Sequence, residues 1–235
     1  MRIRLDKYLA DMGYGTRSQV KREIAGGSVM VNGVPARRPE DKIDTEKDSV
    51  VFRGSPVGYV EYEYFMLNKP AGVVSATEDR KERTVLDLID ARQRKDLFPV
   101  GRLDKDTEGL LLITNDGEMA HRLLSPKKHV DKAYYARVAG RITEEHVRLF
   151  AEGVDIGDEK PTLPAELTVL SSGEISEIEL VIREGRFHQV KRMFQAAGGE
   201  VIYLKRLRMG SLVLDGGLEP GEYRKLTEEE VRALC

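Results

Sequence analysis

Apolar side chains at Leu5, Tyr8, Leu9 and Met12 follow the i, i+3, i+4, i+7 spacing that lines one face of an α-helix, and Gly13-Tyr14-Gly15 interrupts the pattern. A second helix is predicted from Thr16, a capping residue, with Val20 and Ile24 on its inner face and Gly26-Gly27 as its stop. Its opposite face carries Arg17, Lys21 and Arg22. Val29-Met30-Val31 then reads as a strand entering Asn32-Gly33, a pair that supplies the positive φ values of a hairpin turn. This unit is expected to close near Phe52. Residues 53–58, with Gly54, Ser55, Pro56 and Gly58, have the composition of a linker. The predicted organisation is therefore a small domain over residues 1–53, a linker over 54–60 and a larger domain over 61–235.

Beyond the linker, the pattern alternates between periods of two and of 3.6 without a regular βαβ rhythm. Strands are predicted over 62–67, 109–114, 133–138, 201–204 and 211–214, and 165–170 with 175–182 forms an antiparallel pair around Ser171-Ser172-Gly173. Helices are predicted over 84–89, 118–124, 143–151 and 187–197, the last closed by Gly198-Gly199. Thr227, with Glu230 three residues on, opens a final helix through a capping box. Strands outnumber helices and short turns join many of them. The expected class is α+β: a small α/β unit linked to a larger domain on a mainly antiparallel mixed sheet flanked by helices.

Composition narrows the function. With 40% apolar and 33% charged residues and a net charge of −2, the chain has the balance of a folded protein with a real core. Its longest apolar stretches, such as residues 110–113, fall far short of the ~20 residues that cross a bilayer, so no membrane association and a cytoplasmic location are expected. One cysteine, Cys235, excludes an intrachain disulfide framework, and four scattered histidines without HExxH argue against a transition-metal site. The charge is unevenly spread. Residues 1–38 hold eight Lys and Arg against three acids, a net of +5, and residues 183–208 hold seven against two, again +5. Locally gathered cations are what a polyanion-binding surface leaves in a sequence, although a solvated helix face reads the same way.

Three segments could carry chemistry. In PVGRLDKDTEGLLLITNDG, residues 99–117, Asp104, Asp106, Glu108 and Gly109 fall at positions one, three, five and six of a calcium-loop pattern. The spacing fails: position twelve is Asn115 rather than a bidentate Glu, and residues 110–113 read as a buried strand. Asp104 is then either a turn former or a nucleophile or base held by rigid neighbours. In the second segment, Tyr134 and Tyr135 point to opposite faces of one strand, so one can pack inward while the other offers a flat surface for a nucleobase. The third, EGRFHQVKRMFQAAGG, places Val190, Met193, Phe194 and Ala197 on one helix face, with Lys191 and Arg192 at its rim and His188 near its start. Lys191 is the cation that would keep Asp104 ionised if the two meet.

Together these segments resemble a known family. GRLDKDTEGLLL, the Lys-Ala-Tyr of 132–134 and EGRFHQVKRMF, in that order, resemble the pseudouridine synthases. YFMLNKPAG at 64–72 and PGEYRKLTEEE at 220–230 are similar to the branch acting on small-subunit ribosomal RNA rather than the large-subunit and transfer-RNA branches. RLDKYLADMGYGTRSQVKREIAGGSVMVNG resembles an S4 RNA-binding domain, which that branch carries. The resemblance implies isomerisation of a uridine in 16S ribosomal RNA, the one called 516 in the family's nucleotide numbering, by a monomer without metal or organic cofactor. The RNA partner is either free or part of an assembling small-subunit particle. Asp104 would be the essential catalytic carboxylate, Tyr134 the ring that stacks on the target base and helps move its C5 proton, and Lys191 the cation paired with Asp104. Many relatives in other branches have Arg there; Lys keeps the charge and loses the two-pronged geometry. Arg102, Thr107, His188, Gln189 and Arg192 would bind substrate, and Arg4, Arg17, Lys21 and Arg22 would grip RNA.

The chemistry suits one carboxylate. The N1–C1′ bond must break, the uracil must turn, and C5 must join C1′. The carboxylate attacks C1′ or takes a proton from C2′, and sequence does not choose between them. The base must leave its stack to be reached. Two other readings compete: the same reaction on a 23S ribosomal RNA uridine, and a non-catalytic RNA-binding assembly factor in which Asp104 is only a turn residue.

Overall fold

The computed structural model describes residues 1–234; Cys235 lies outside the described residues. The chain divides into two units, Met1–Glu63 with Asp90–Leu97, and residues 64–89 with 98 onward. The first contains β1 (Arg2–Arg4), α1 (Leu5–Asp11), α2 (Arg17–Ala25), β2 (Val29–Val31), β3 (Val34–Pro35), β4 (Lys42–Asp44), β5 (Val50–Phe52) and β6 (Ser55–Val57). Four strands pair in the order β3-β2-β5-β6, and β1 pairs separately with β4. Thr16 caps α2 in a reciprocal box with Gln19. The predicted inner faces meet as expected, Leu5, Tyr8, Leu9, Val20 and Ile24 packing with Val29, Val50 and Phe52.

The linker expected over 54–60 is not there as such. Arg53 (φ 48°) and Gly54 (φ 83°) make a second two-residue hairpin turn, like Asn32 and Gly33, and lead into β6, which pairs antiparallel with β5. Its Pro56 sits on an edge strand, where a missing N–H costs no ladder bond. Turn and edge-strand residues share the composition of a linker, so composition does not separate the two. The unit also takes back residues 90–97. Arg94, 2% exposed, pairs there with Asp96 at 2.6 Å and Asp11 at 3.4 Å, and the N–H groups of Gln93 and Arg94 donate to Glu63 at 2.8 Å.

The second unit contains β7 (Tyr64–Lys69), β8 (Phe98–Pro99), β9 (Glu108–Thr114), α3 (Gly117–Leu124), β10 (Lys132–Ala139), α4 (Glu144–Glu152), β11 (Glu166–Ser171), β12 (Ile175–Ile182), α5 (Gln189–Ala196), β13 (Glu200–Met209), β14 (Leu212–Val213), β15 (Tyr223–Lys225) and α6 (Glu228–Leu234). The sheet runs β11-β12-β10-β13-β9-β7-β15, with β8 on β9 and β14 on β13. Among the named strands of the described residues only β13 and β9 pair in parallel, so the fold is the mainly antiparallel mixed sheet expected. Leu110 to Ile113 of β9 are fully buried on both faces. Among the described residues no helix is long and apolar enough to cross a membrane.

Two elements differ from the sequence reading in ways that shape the site. β13 continues five residues past Leu204, through Lys205-Arg206-Leu207-Arg208, a run whose charge reads as a loop. Arg206 is nonetheless covered, at 3% exposure. α5 starts at Gln189 rather than 187, because His188 adopts a left-handed conformation (φ 47°) that cannot continue a helix. Gly109 permits the parallel contact: at φ +98° a Cβ would overlap the Arg206 carbonyl oxygen and sit 2.8 Å from its amide nitrogen.

Candidate active site

The loop before β9 is fastened from below. Lys69, at the end of β7 and fully buried, donates its amine protons to the carbonyls of Pro70, Lys105 and Thr107 at 3.0, 3.2 and 2.8 Å. Ser75 exchanges hydrogen bonds with the backbone of Leu103 at 2.8 and 3.1 Å. The Asp104 carbonyl accepts the Thr107 N–H at 3.1 Å. Asp104 is thus a turn residue through its backbone, while its carboxylate is free of the turn and partly exposed in a cavity of about 890 Å³.

Lys191 of α5 meets that carboxylate, Nζ to Oδ2 at 3.2 Å, as expected if it serves as the partner cation. It is not Asp104's alone. The same Nζ donates to both oxygens of Asp106 at 2.6 and 2.8 Å, a partner the sequence reading left unused. Burial disfavours the ammonium, but the hydrogen bonds to Asp106 and Asp104 outweigh it and hold the Lys191 amine above its usual range. The bond from Lys191 in turn holds Asp106 below the usual carboxylate range. His188 Nε2 stands 3.5 Å from Asp104 Oδ1, and its ring stacks on the exposed Phe187 with centroids 3.8 Å apart.

A face of the sheet forms another wall. Tyr134 of β10, 7% exposed, stands across from Arg206 of β13 and Leu180 of β12, and lines the cavity with Lys132, Ile182 and Leu204. Tyr135 points the other way, edge-on to Tyr203 at 6.0 Å. The strand parity thus assigns the buried tyrosine to the cavity.

The other expected substrate residues fare unequally. Arg102 is exposed on the cavity wall, and Thr107 also lines it, buried, with Oγ1 lacking a hydrogen-bond partner among the described residues. Gln189 lines the cavity, but its amide is engaged: Oε1 accepts the Arg186 N–H and Nε2 donates to Glu184 Oε1, each at 2.9 Å. It shapes the loop 184–188. Arg192 does not line the cavity; it reaches the carbonyls of Phe187 and Ile156 and the carboxylate of Asp158. Adjacent helical residues project about 100° apart, so Lys191 and Arg192 cannot both face Asp104. The structure therefore turns Arg192 away from the cavity and toward Asp158.

In the first unit, Arg4, Arg17 and Lys21 converge on buried Asp6, at 3.0, 3.0 and 3.9 Å. Three half-exposed cations around one carboxylate leave a net of +2. Arg22, also exposed, takes no part in that cluster. The sequence reading missed Lys69, Asp106, Lys132 and Arg206; only the shared parity of Lys132 and Tyr134 could have pointed to one of them.

Known proteins give an independent measure. A family model described as RNA pseudouridylate synthase matches residues 63–196, and one described as S4 domain matches residues 3–50. The chain is 50% identical over 235 residues to an "Uncharacterized RNA pseudouridine synthase YtzG" of Bacillus subtilis (strain 168), covering 99% of this chain and 98% of that protein. It is 42% identical over 234 residues to "Ribosomal small subunit pseudouridine synthase A" of Escherichia coli (strain K12), covering 99% and 100%. A solved structure described as "Crystal structure of pseudouridylate synthase" superposes with a TM-score of 0.70 at 40% identity, covering 99% of this chain and all of that one.

Proposed function

Because the chain belongs to the RNA pseudouridylate synthase family of isomerases and carries an S4 domain, we propose that it converts a specific uridine of 16S ribosomal RNA to pseudouridine, with Asp104 as the essential carboxylate. The target is the uridine called 516 in the family's nucleotide numbering. The relatives named for the small subunit, similar over their whole length, support that substrate.

The observation that carries the reading is the meeting, in one cavity, of the Asp104 carboxylate, the Lys191 ammonium 3.2 Å away and the ring of Tyr134. An extruded uridine lays its base against Tyr134 and offers its sugar to Asp104, which attacks C1′ or takes the C2′ proton. The electron pair of the N1–C1′ bond leaves with the base. After the base turns, C5 bonds to C1′ as the Asp104–C1′ bond breaks or, on the other route, as the proton taken from C2′ returns there; C5 then gives up its proton with Tyr134 assisting, and N1 takes one up, so no atom is gained or lost. Lys191 keeps a positive charge beside the carboxylate. Arg102, Thr107 and His188 contact the nucleotide, and Gln189 holds the loop that presents His188. Arg4, Arg17, Lys21 and Arg22 grip folded RNA through its phosphates. The protein acts as a monomer in the cytoplasm, on ribosomal RNA free or in an assembling small-subunit particle.

Mapping pseudouridines in ribosomal RNA from cells with and without the gene tests this. One position in 16S RNA is expected to lose its modification. Loss confined to 23S RNA would overturn the substrate, and an unchanged map would overturn the activity on ribosomal RNA.

A further inference from the structure

Two buried cations of the cavity take no part in the contacts at Asp104. Lys132 lies on the face of β10 that carries Tyr134, two residues away, and Arg206 stands directly across from Tyr134 in β13. Both line the cavity and both are almost wholly buried, at 7% and 3% exposure. Their hydrogen bonds anchor them without neutralising them. Lys132 Nζ donates to the Val130 carbonyl at 3.0 Å and Arg206 Nε to the Leu110 carbonyl at 2.8 Å. Arg206 Nη2 is buried with no partner, and neither residue has an ion pair among the described residues. Asp131, the acid nearest in sequence, is held instead by Arg183 at 3.0 Å and Arg208 at 3.8 Å.

An unpaired buried guanidinium donor beside a second buried cation is a costly arrangement unless a ligand supplies the negative charge. We propose that Lys132 and Arg206 form an anion site for the departing base, stabilising the negative charge that collects on the uracil carbonyl oxygens when the N1–C1′ bond breaks. The inference rests on the reading of the site given above. It adds what the carboxylate cannot do. Asp104 acts on the sugar, and a second group must stabilise the negative charge that leaves with the base. That pair enters N1 and spreads over O2 and O4; it is used again when C5 bonds to C1′, and the C5 proton lost is matched by one gained at N1. Fixed positive groups in a water-poor pocket are the most effective way to hold such transient charge.

A backbone phosphate would bring the same charge. The surroundings favour the base: the two cations flank the ring of Tyr134, and the neighbouring walls at Ile182 and Leu204 are apolar, suiting a flat heterocycle. Burial, with the charge of Arg206 added to it, pushes the Lys132 amine below its ordinary range, as expected of a pair whose counter-ion arrives with the substrate.

The test uses the full-length protein with Lys132→Met and, separately, Arg206→Met, the folding of each checked by thermal unfolding. Single-turnover rates at saturating enzyme and RNA dissociation constants are measured for substrate RNA bearing uridine or 5-fluorouridine at the target. Fluorine at C5 makes the base a better leaving group that needs less help. The expected result is a rate lower by about 10²–10³-fold on uridine, a loss about tenfold smaller on 5-fluorouridine, and a nearly unchanged dissociation constant. Equal losses on the two RNAs would assign the residues a structural role and overturn the proposal. So would an unchanged saturated rate with weaker, less salt-sensitive binding, which marks a phosphate contact. If Arg206→Met does not fold, Lys132→Met decides alone. A wild-type protein that rearranges neither RNA overturns the reading of the site and the anion site with it.

Discussion

At the scale of single residues, the account turns on how a carboxylate on a loop is held still. Lys69 donates to two carbonyls of the segment around Asp104, those of Lys105 and Thr107, and to that of its neighbour Pro70, and burial pushes its amine down to about 8. Above that pH the amine is neutral and keeps two protons for three acceptors. Turnover is therefore expected to fall as pH rises from 7 to 9 in single-turnover measurements; a rate flat across that range would mean that Lys69 does not position the loop. Stability moves the other way. Between about 8 and 10.5 the unfolded chain binds this proton more strongly than the folded one, so this group's contribution to stability rises with pH. The meeting of Asp104, Tyr134 and Lys191 in one cavity is legible in the sequence because motif order singles the three out. The division of Lys191 between Asp104 and Asp106, and the turning of Arg192 toward Asp158, were not, because both depend on the entry angle of α5 set by the left-handed His188.

At the scale of elements, periodicity located nearly every helix, and capping residues fixed their starts: Thr16, Thr227 and Asp116 cap as their types suggest. Pairing partners were harder to read, since a strand's neighbours lie far away in sequence. β13 shows this most plainly. Its basic second half reads as loop, yet it lies between β10 and β9 and carries Arg206 into the cavity. The contact with β9 rests on Gly109. Gly109→Ala forces a side chain against the β13 backbone at a positive φ, and a loss of about 2–4 kcal/mol is expected from strain and steric overlap. That corresponds to a fall in Tm of about 4–16 °C for a chain of this size. A Tm within 1–2 °C of wild type would show that the two strands separate without cost.

At the scale of the whole molecule, two local excesses of positive charge lie in an otherwise acidic chain, and each includes residues of a distinct cluster. The first surrounds Asp6 on the S4 unit, the second contributes Lys191 and Arg206 to the cavity. The segment 90–97 belongs to the first unit although it follows β7 by some twenty residues, so removing the N-terminal residues would not excise that unit intact. Substitution is the cleaner probe. Arg17→Gln with Lys21→Gln is expected to weaken RNA binding and to reduce the slope of log K against log salt by about 1.4–1.8, two phosphate contacts' worth. An unchanged slope would remove this cluster from the RNA interface. No sequence pattern could reveal the return of 90–97, because nothing local distinguishes a segment that packs with one unit from a segment that packs with the other.

The most direct measurement replaces Asp104 with Asn and follows tritium release from RNA labelled at uridine C5. Asn keeps the shape of the side chain and its place beside Lys191 but can neither attack C1′ nor accept the C2′ proton. Release is expected to fall by about 10⁴-fold or more, with RNA affinity nearly intact. Release within about tenfold of wild type would contradict the assignment of the reaction to this carboxylate.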